Sequence, residues 1–207
     1  MSQSKILIVL GERTAAEIVE AAQLASGAQF ASIERLYFDA ANFATLDVPR
    51  LSAIGAEVYY HVGIAGDELK MQVVQACERA GWKPQSVVHP SAVISPSAVL
   101  HHGVFVGPLA VVSSHAVVEQ HSIIHIHASI GHDARIGQYS SILPGARISG
   151  NASLGQRVLV GSNAFVAAGK SIGDDCRVDA LSYVNQDLPA RHILSPRFPR
   201  PVPRVIH

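Results

Sequence analysis

Two neighbouring side chains in this sequence could move a proton. Ile130-Gly131-His132-Asp133 sets an imidazole and a carboxylate side by side directly after a glycine. A neutral imidazole near pH 7 can take the proton from an amine or hydroxyl as it attacks a carbonyl. An adjacent carboxylate would fix the tautomer and stabilise the imidazolium that forms. His132 and Asp133 are therefore the candidate catalytic residues. A solvated corner that simply carries two polar side chains fits the same four residues. The chain has 11 histidines, eight of them between His89 and His132, which raises a metal site as a further possibility.

The elements that would position the pair form a repeat. From Ala92 to Asp187 the chain divides into sixteen six-residue units without one insertion. The third position is always aliphatic, from Ile94 and Leu100 through Ile130 and Ile136 to Val184. The first is almost always small, and the fourth is glycine at Gly107, Gly131, Gly137, Gly155, Gly161 and Gly173. A period of six suits neither a helix nor plain alternation. It predicts a triangular β-solenoid in which each unit is one short strand and one corner, three units make a coil, and the aliphatic residue fills the interior. His132 and Asp133 then lie on a corner, where side chains project outward. His115, His121 and His127 end three consecutive units and mark three different corners, while Asp133 stacks on His115 from the adjacent coil. Only His132, beside its Asp, sits where the chemistry would need it.

The first 85 residues follow another rhythm. Lys5–Leu10 is a continuous apolar run ending at Gly11, as a buried parallel strand reads. Thr14–Ala25 has helical spacing, Leu36-Tyr37-Phe38 before Asp39 is a short strand, Val58–Val62 before Gly63 is another, and Glu68–Ala80 closed by Gly81 is a second helix. That order predicts a small Rossmann-like α/β domain over 1–85. A β-helix domain over 86–188 and a Pro/Arg-rich tail over 189–207 follow, the tail extended along a surface or a neighbouring subunit.

Composition narrows the class of function. With 207 residues, Lys+Arg 16 against Asp+Glu 16 and a formal net charge of +0, the chain lacks the basic footprint of a nucleic-acid binder. Charged residues are 15% and hydrophobic residues 48%, the reverse of a disordered chain. Two cysteines, Cys77 and Cys176, cannot build a disulfide framework, no apolar run reaches the length of a membrane span, and Met1 leads straight into strand-like text. A cytoplasmic protein is the expectation.

The combination resembles a known family. A short Rossmann-like domain followed by Gly131-His132-Asp133, Leu143-Pro144-Gly145-Ala146 and Val184-Asn-Gln-Asp-Leu-Pro189 is similar to the hexapeptide-repeat sugar O- and N-acetyltransferases, among them the sialic acid O-acetyltransferases and bacillosamine N-acetyltransferases. The resemblance covers about residues 4–189 and extends to Val88-His89-Pro90-Ser91-Ala92, the entry into the repeat. It implies a left-handed parallel β-helix, a homotrimer, acetyl-CoA as co-substrate and no metal. It also implies that His132 is the general base with Asp133 raising its basicity. Ser141, Gly150 and Ser162 would lie on the acetyl-CoA path between two prisms. Gly11, Asp39 and Gly63 would contact a nucleotide-sugar on the N-terminal domain, for surface polysaccharide or glycan synthesis.

This sequence also departs from the family. Its first loop, Gly11-Glu12-Arg13-Thr14-Ala15, lacks the family's glycines and loop histidine, leaving Arg13 as a charged fork for a phosphate beside an opposing Glu12. His125 stands where the family has Asn, as a candidate substrate contact, and Leu194-Ser-Pro-Arg-Phe-Pro-Arg200 replaces the usual closing segment. Two alternatives stay open: a substrate other than the usual nucleotide-linked amino sugar, or an N-terminal domain that no longer binds one. Two rival functions remain. One is a non-catalytic trimeric scaffold, because a solenoid alone proves no activity. The other is a zinc enzyme resembling the γ-class carbonic anhydrases, against which His127 and His132 stand in the wrong register and Gln120 holds a position where a histidine is wanted.

Overall fold

The computed structural model describes residues 4–26, 29–37, 56–65 and 67–205. The apolar run Lys5–Leu10 forms β1, followed by α1 (Arg13–Ser26), β2 (Ser32–Leu36), β3 (Glu57–Val62), α2 (Asp67–Arg79) and β4 (Lys83–Pro84). The four strands pair in parallel in the order β2-β1-β3-β4. β1 is central and buried on both faces. Leu7 and Val9 pack on Ala15, Ile18 and Ala22 of α1, and Ile8 and Leu10 on Val73, Val74 and Cys77 of α2. The second strand lies earlier than Leu36–Phe38, where the sequence predicts it. It occupies the sheet edge with Glu34 and Arg35 exposed, so it needs no continuous apolar run. Phe38 and Asp39 lie outside the described residues.

From Val87 the chain becomes two-residue strands at six-residue intervals, each as far as Phe165–Val166 paired in parallel with the strand eighteen residues on, so that Val112, Ile130 and Ile148 lie in register. The result is a three-sided prism. Its third-position residues, including Ile130, Ile136, Ile142 and Val160, are fully buried with the first-position alanines between them. Each such side chain contributes roughly 1.5–3 kcal/mol by leaving water. Ile94 and Leu100 are only half-buried because they line the open first coil.

The corners obey a rule that the sequence reading passed over. The sixth residue of successive units adopts left-handed backbone, among them His115, His121 and His127 at φ 56–57°, Asp133 at 59°, Asn151 at 60° and Asn163 at 55°. Asn, Asp and His tolerate this region better than most side chains. The clustering of histidines in the repeat is partly a backbone requirement.

The second position of each unit points outward. On one face these residues are Val87, Phe105, Ile123 and Ser141, buried where the α/β unit is seated through α1, Leu7 and Val9, followed by the half-buried Leu159 and Arg177. We call this the docking face. The next face carries Val93, Val111, Ser129, Arg147, Phe165 and Tyr183, and the third carries Val99, Val117, Arg135, Ser153 and Ser171. The tail does not lie unpaired. His192–Leu194 adds to the docking-face sheet, with Ile193 beside Arg177 and paired antiparallel to Val202, and Leu188 and Leu194 close the end of the core.

Candidate active site

His132 and Asp133 occupy the edge between the second and third faces. The glycine before them is demanded by the coil spacing, since a Cβ on Gly131 would lie 2.4 Å from the backbone nitrogen of Gly150 on the next coil. Nδ1 of His132 lies 2.9 Å from Oδ2 of Asp133. An ionised carboxylate only accepts, so Nδ1–H donates to Asp133 and Nε2 keeps its lone pair. The imidazole lies over Gly150, where an added Cβ would meet Nε2 at 2.5 Å. The His132 side chain is 61% exposed in the single chain, open to a reacting partner. His115 stacks one coil before, its Nδ1 4.0 Å from Oδ1 of Asp133. The structure thus brings His132, Asp133 and Gly150 together.

Ser162 lies elsewhere. A groove of about 370 Å³ on the edge between the docking face and the second face is lined by His127, Pro144, Arg147, Ser162 and Asn163. It holds the Leu143-Pro144-Gly145-Ala146 stretch. Ser141, expected on the acetyl-CoA path between two prisms, is covered within its own chain. It occupies an outward position of the docking face and is buried beneath the α/β unit, its Oγ accepting from Lys70 Nζ at 3.3 Å and donating to the Ala65 carbonyl at 3.1 Å. Within one chain the three expected acetyl-CoA residues lie on two edges and one covered face.

Gly11 and Gly63 meet at the carboxyl ends of β1 and β3, where the strand order reverses and α/β folds open a crevice. They are also packed on each other. Gly63 N donates to Leu10 O at 2.8 Å, and a Cβ on Gly11, whose φ is 133°, would come within 2.7 Å of Gly63 O. Arg13 opens α1 and is exposed, as is Glu12. Asp39, the remaining expected contact, lies outside the described residues.

His125 is not at an open surface. It is 6% exposed, its Nε2 has no hydrogen-bond partner, and burial together with the nearby Lys70 charge pulls its pKa down to about 4. Lys70 was not singled out in the sequence. Its ammonium is fully buried and donates to the carbonyl of His121 at 3.2 Å as well as to Ser141. The signal that could have exposed it is position, since Lys70 falls among the apolar residues of α2. His121 lies sandwiched between the rings of Tyr60 and Tyr139, at 6.1 and 5.4 Å. Among the described residues no three His, Cys, Asp or Glu side chains gather as a metal site, and no helix is long and apolar enough to cross a membrane.

A parallel β-helix of six-residue repeats following a small α/β unit is also the fold of solved sugar N-acetyltransferases to which this chain is similar. The chain is similar to PerB of Caulobacter crescentus, solved in complex with CoA and GDP-perosamine, at 26% identity over 92% of this chain and 93% of that one, with a TM-score of 0.81. At lower identity it shares the fold of the acetyltransferase domain of PglB from Neisseria gonorrhoeae (21%, 96% of this chain, 100% of that chain, TM-score 0.83) and of WeeI from Acinetobacter baumannii (20%, 96% and 100%, TM-score 0.84). No family model and no curated protein matches the sequence.

Proposed function

We propose that the protein transfers the acetyl group of acetyl-CoA to an amino group of a nucleotide-linked sugar, with His132 as general base. The observation that carries this reading is the 2.9 Å contact between His132 Nδ1 and Asp133 Oδ2, which leaves Nε2 basic at an open edge. Support comes from PerB, whose solved complex holds CoA and GDP-perosamine and which is described as a GDP-perosamine N-acetyl transferase. Acetyl-CoA supplies an activated acyl carbon and a thiolate leaving group. Nε2 takes the proton of the attacking amine, Asp133 holds the resulting imidazolium, and that proton then passes to the departing sulfur.

The active unit is a homotrimer on this reading. The second face exposes Val93, Val111, Phe165 and Tyr183, an apolar surface flanked on one side by the His132 edge and on the other by the Ser162 groove. Turning that face toward a three-fold axis sets the His132 edge of one prism against the groove of the next. Arg147 would then offer positive charge, and His127 a ring N–H, to the phosphates of acetyl-CoA. The α/β unit is Rossmann-like, and the strand ends at Gly11 and Gly63, with Arg13 beside them, would take the nucleotide.

The test is thiol release from acetyl-CoA across a panel of amino-sugar nucleotides and free sialic acid, with His132→Ala alongside. The proposal expects release with an amino-sugar nucleotide and a loss of at least about a hundred-fold in the variant. Full activity of His132→Ala would sink the assignment. Absence of acetyl-CoA binding would favour a scaffold instead.

A further inference from the structure

The carboxylate that serves His132 has a second imidazole on its other oxygen. His115 and Asp133 occupy the same sixth position of consecutive coils, and both adopt left-handed backbone, at φ 56° and 59°. Asp133 N donates to the carbonyl of Ser114 at 2.9 Å, which fixes the two corners against each other. His115 N in turn donates to Ser97 Oγ at 3.2 Å, tying the lower corner to the coil before it. On this framework the two oxygens of Asp133 divide their work. Oδ2 lies 2.9 Å from Nδ1 of His132, and Oδ1 lies 4.0 Å from Nδ1 of His115. The second distance is longer than a hydrogen bond, and a small rotation of either exposed side chain would close it.

We infer that His115 is a positioning residue for the reaction: through Asp133 it holds the carboxylate in the orientation that keeps the proton of His132 on Nδ1 and its Nε2 free. A carboxylate on an exposed corner would otherwise rotate about its χ angles and face water. When the Nδ1–H of His115 turns onto Oδ1 it opposes that rotation, so Oδ2 stays on His132. His115 touches neither His132 nor, on the proposed geometry, the reacting atoms, so its effect runs only through Asp133. The inference rests on the acetyl-transfer reading for its kinetic consequence, but the tautomer of His132 is a property of the free protein.

The experiment is a double-mutant cycle joined to a spectroscopic measurement. His115→Ala should lower kcat by about three- to ten-fold with the KM for both substrates unchanged, and His115→Gln, which keeps a donor, should restore part of the loss. In an Asp133→Asn background His115→Ala should cost nothing further, because the group it acts through is gone. An equal loss in both backgrounds, or no loss in either, would overturn the inference. Nitrogen-15 spectra of the histidine rings should show the Nδ1–H tautomer of His132 in the wild type and a mixture with Nε2–H in His115→Ala. An unchanged tautomer ratio would overturn the inference even if the wild type transferred no acetyl group to any sugar, whereas that inactivity alone would count only against the proposed function.

Discussion

Gly150 and the imidazole of His132 share one space. A Cβ at position 150 would lie 2.5 Å from Nε2 and 2.7 Å from Cε1, inside van der Waals contact for every ring atom it meets. The nitrogen proposed to take the proton therefore depends on a residue without a side chain on the adjacent coil. The prism makes that dependence possible by bringing positions eighteen residues apart onto one edge.

The first expected outcome follows from that contact. Gly150→Ala should swing the imidazole off Asp133 and reduce acetyl transfer by about ten- to a thousand-fold, while thermal unfolding stays within a few degrees of the parent because the ring can move into solvent. Steady-state kinetics and a melting curve on the same preparation check it. A variant that keeps full activity would show that the ring orientation does not matter.

Stability should fall steeply on the acid side of neutrality. Burial holds His61 and His125 down to about 4 and His121 to about 3, each from an ordinary value of 6.5. The unfolded chain therefore binds more protons than the folded one as pH falls from about 6.5 toward 4. The stabilisation is fully present above 6.5 and is lost on descending through that window, by about 2 kcal/mol for each histidine at pH 5. Melting temperatures across this range should drop sharply for the wild type and less for His125→Asn. A flat profile would mean that these rings can be charged without leaving their buried positions.

Much of this was legible in the sequence, and the parts that were not have a common cause. The third-position aliphatics announced the prism because they face one environment, the interior, at every turn. The His132–Asp133 pair was legible because its two members are adjacent in the chain. The outward positions mix environments, so nothing local in Ser141, expected on the acetyl-CoA path, showed that the α/β unit covers it. Phe105 and Ile123, large apolar residues on that same face, were the available sign of a covering partner. Lys70 and His125 meet across 55 residues of sequence, and no local pattern announces such a meeting. β2 was displaced because an edge strand needs no continuous apolar run, and Glu34 and Arg35 stand exposed within it.

Two glycines of the prism should respond differently to alanine. At Gly161 a Cβ would lie 2.4 Å from the backbone nitrogen of Ala180, so the coils must part and several inter-coil hydrogen bonds stretch. At Gly169 nothing lies within 4 Å, and the only cost is a left-handed backbone with φ 68°. Gly169→Ala should therefore lose about 1–2 kcal/mol and Gly161→Ala clearly more. Chemical denaturation of the two variants side by side decides it, and a reversed order would refute the reading of the fourth position as a close-approach site.

Lys70 is the last residue whose removal should separate two properties. Its ammonium donates to the His121 carbonyl, at 3.2 Å, and to Ser141 Oγ, at 3.3 Å, so it clamps α2 to the docking face of the prism. Those bonds oppose the cost of burying a charge, and the apolar contacts of Val87, Phe105 and Ile123 remain when they are lost. Lys70→Ala leaves a cavity and strips the acceptors of their donor, an expected loss of about 2–4 kcal/mol. Lys70→Met fills the volume, removes the buried charge and should recover part of it. The prism core does not contain Lys70, so limited proteolysis of the alanine variant should cut the α/β unit first and leave residues from about Val87 onward resistant. Simultaneous digestion of both parts would show that the clamp belongs to a single cooperative unit rather than to a seam between two.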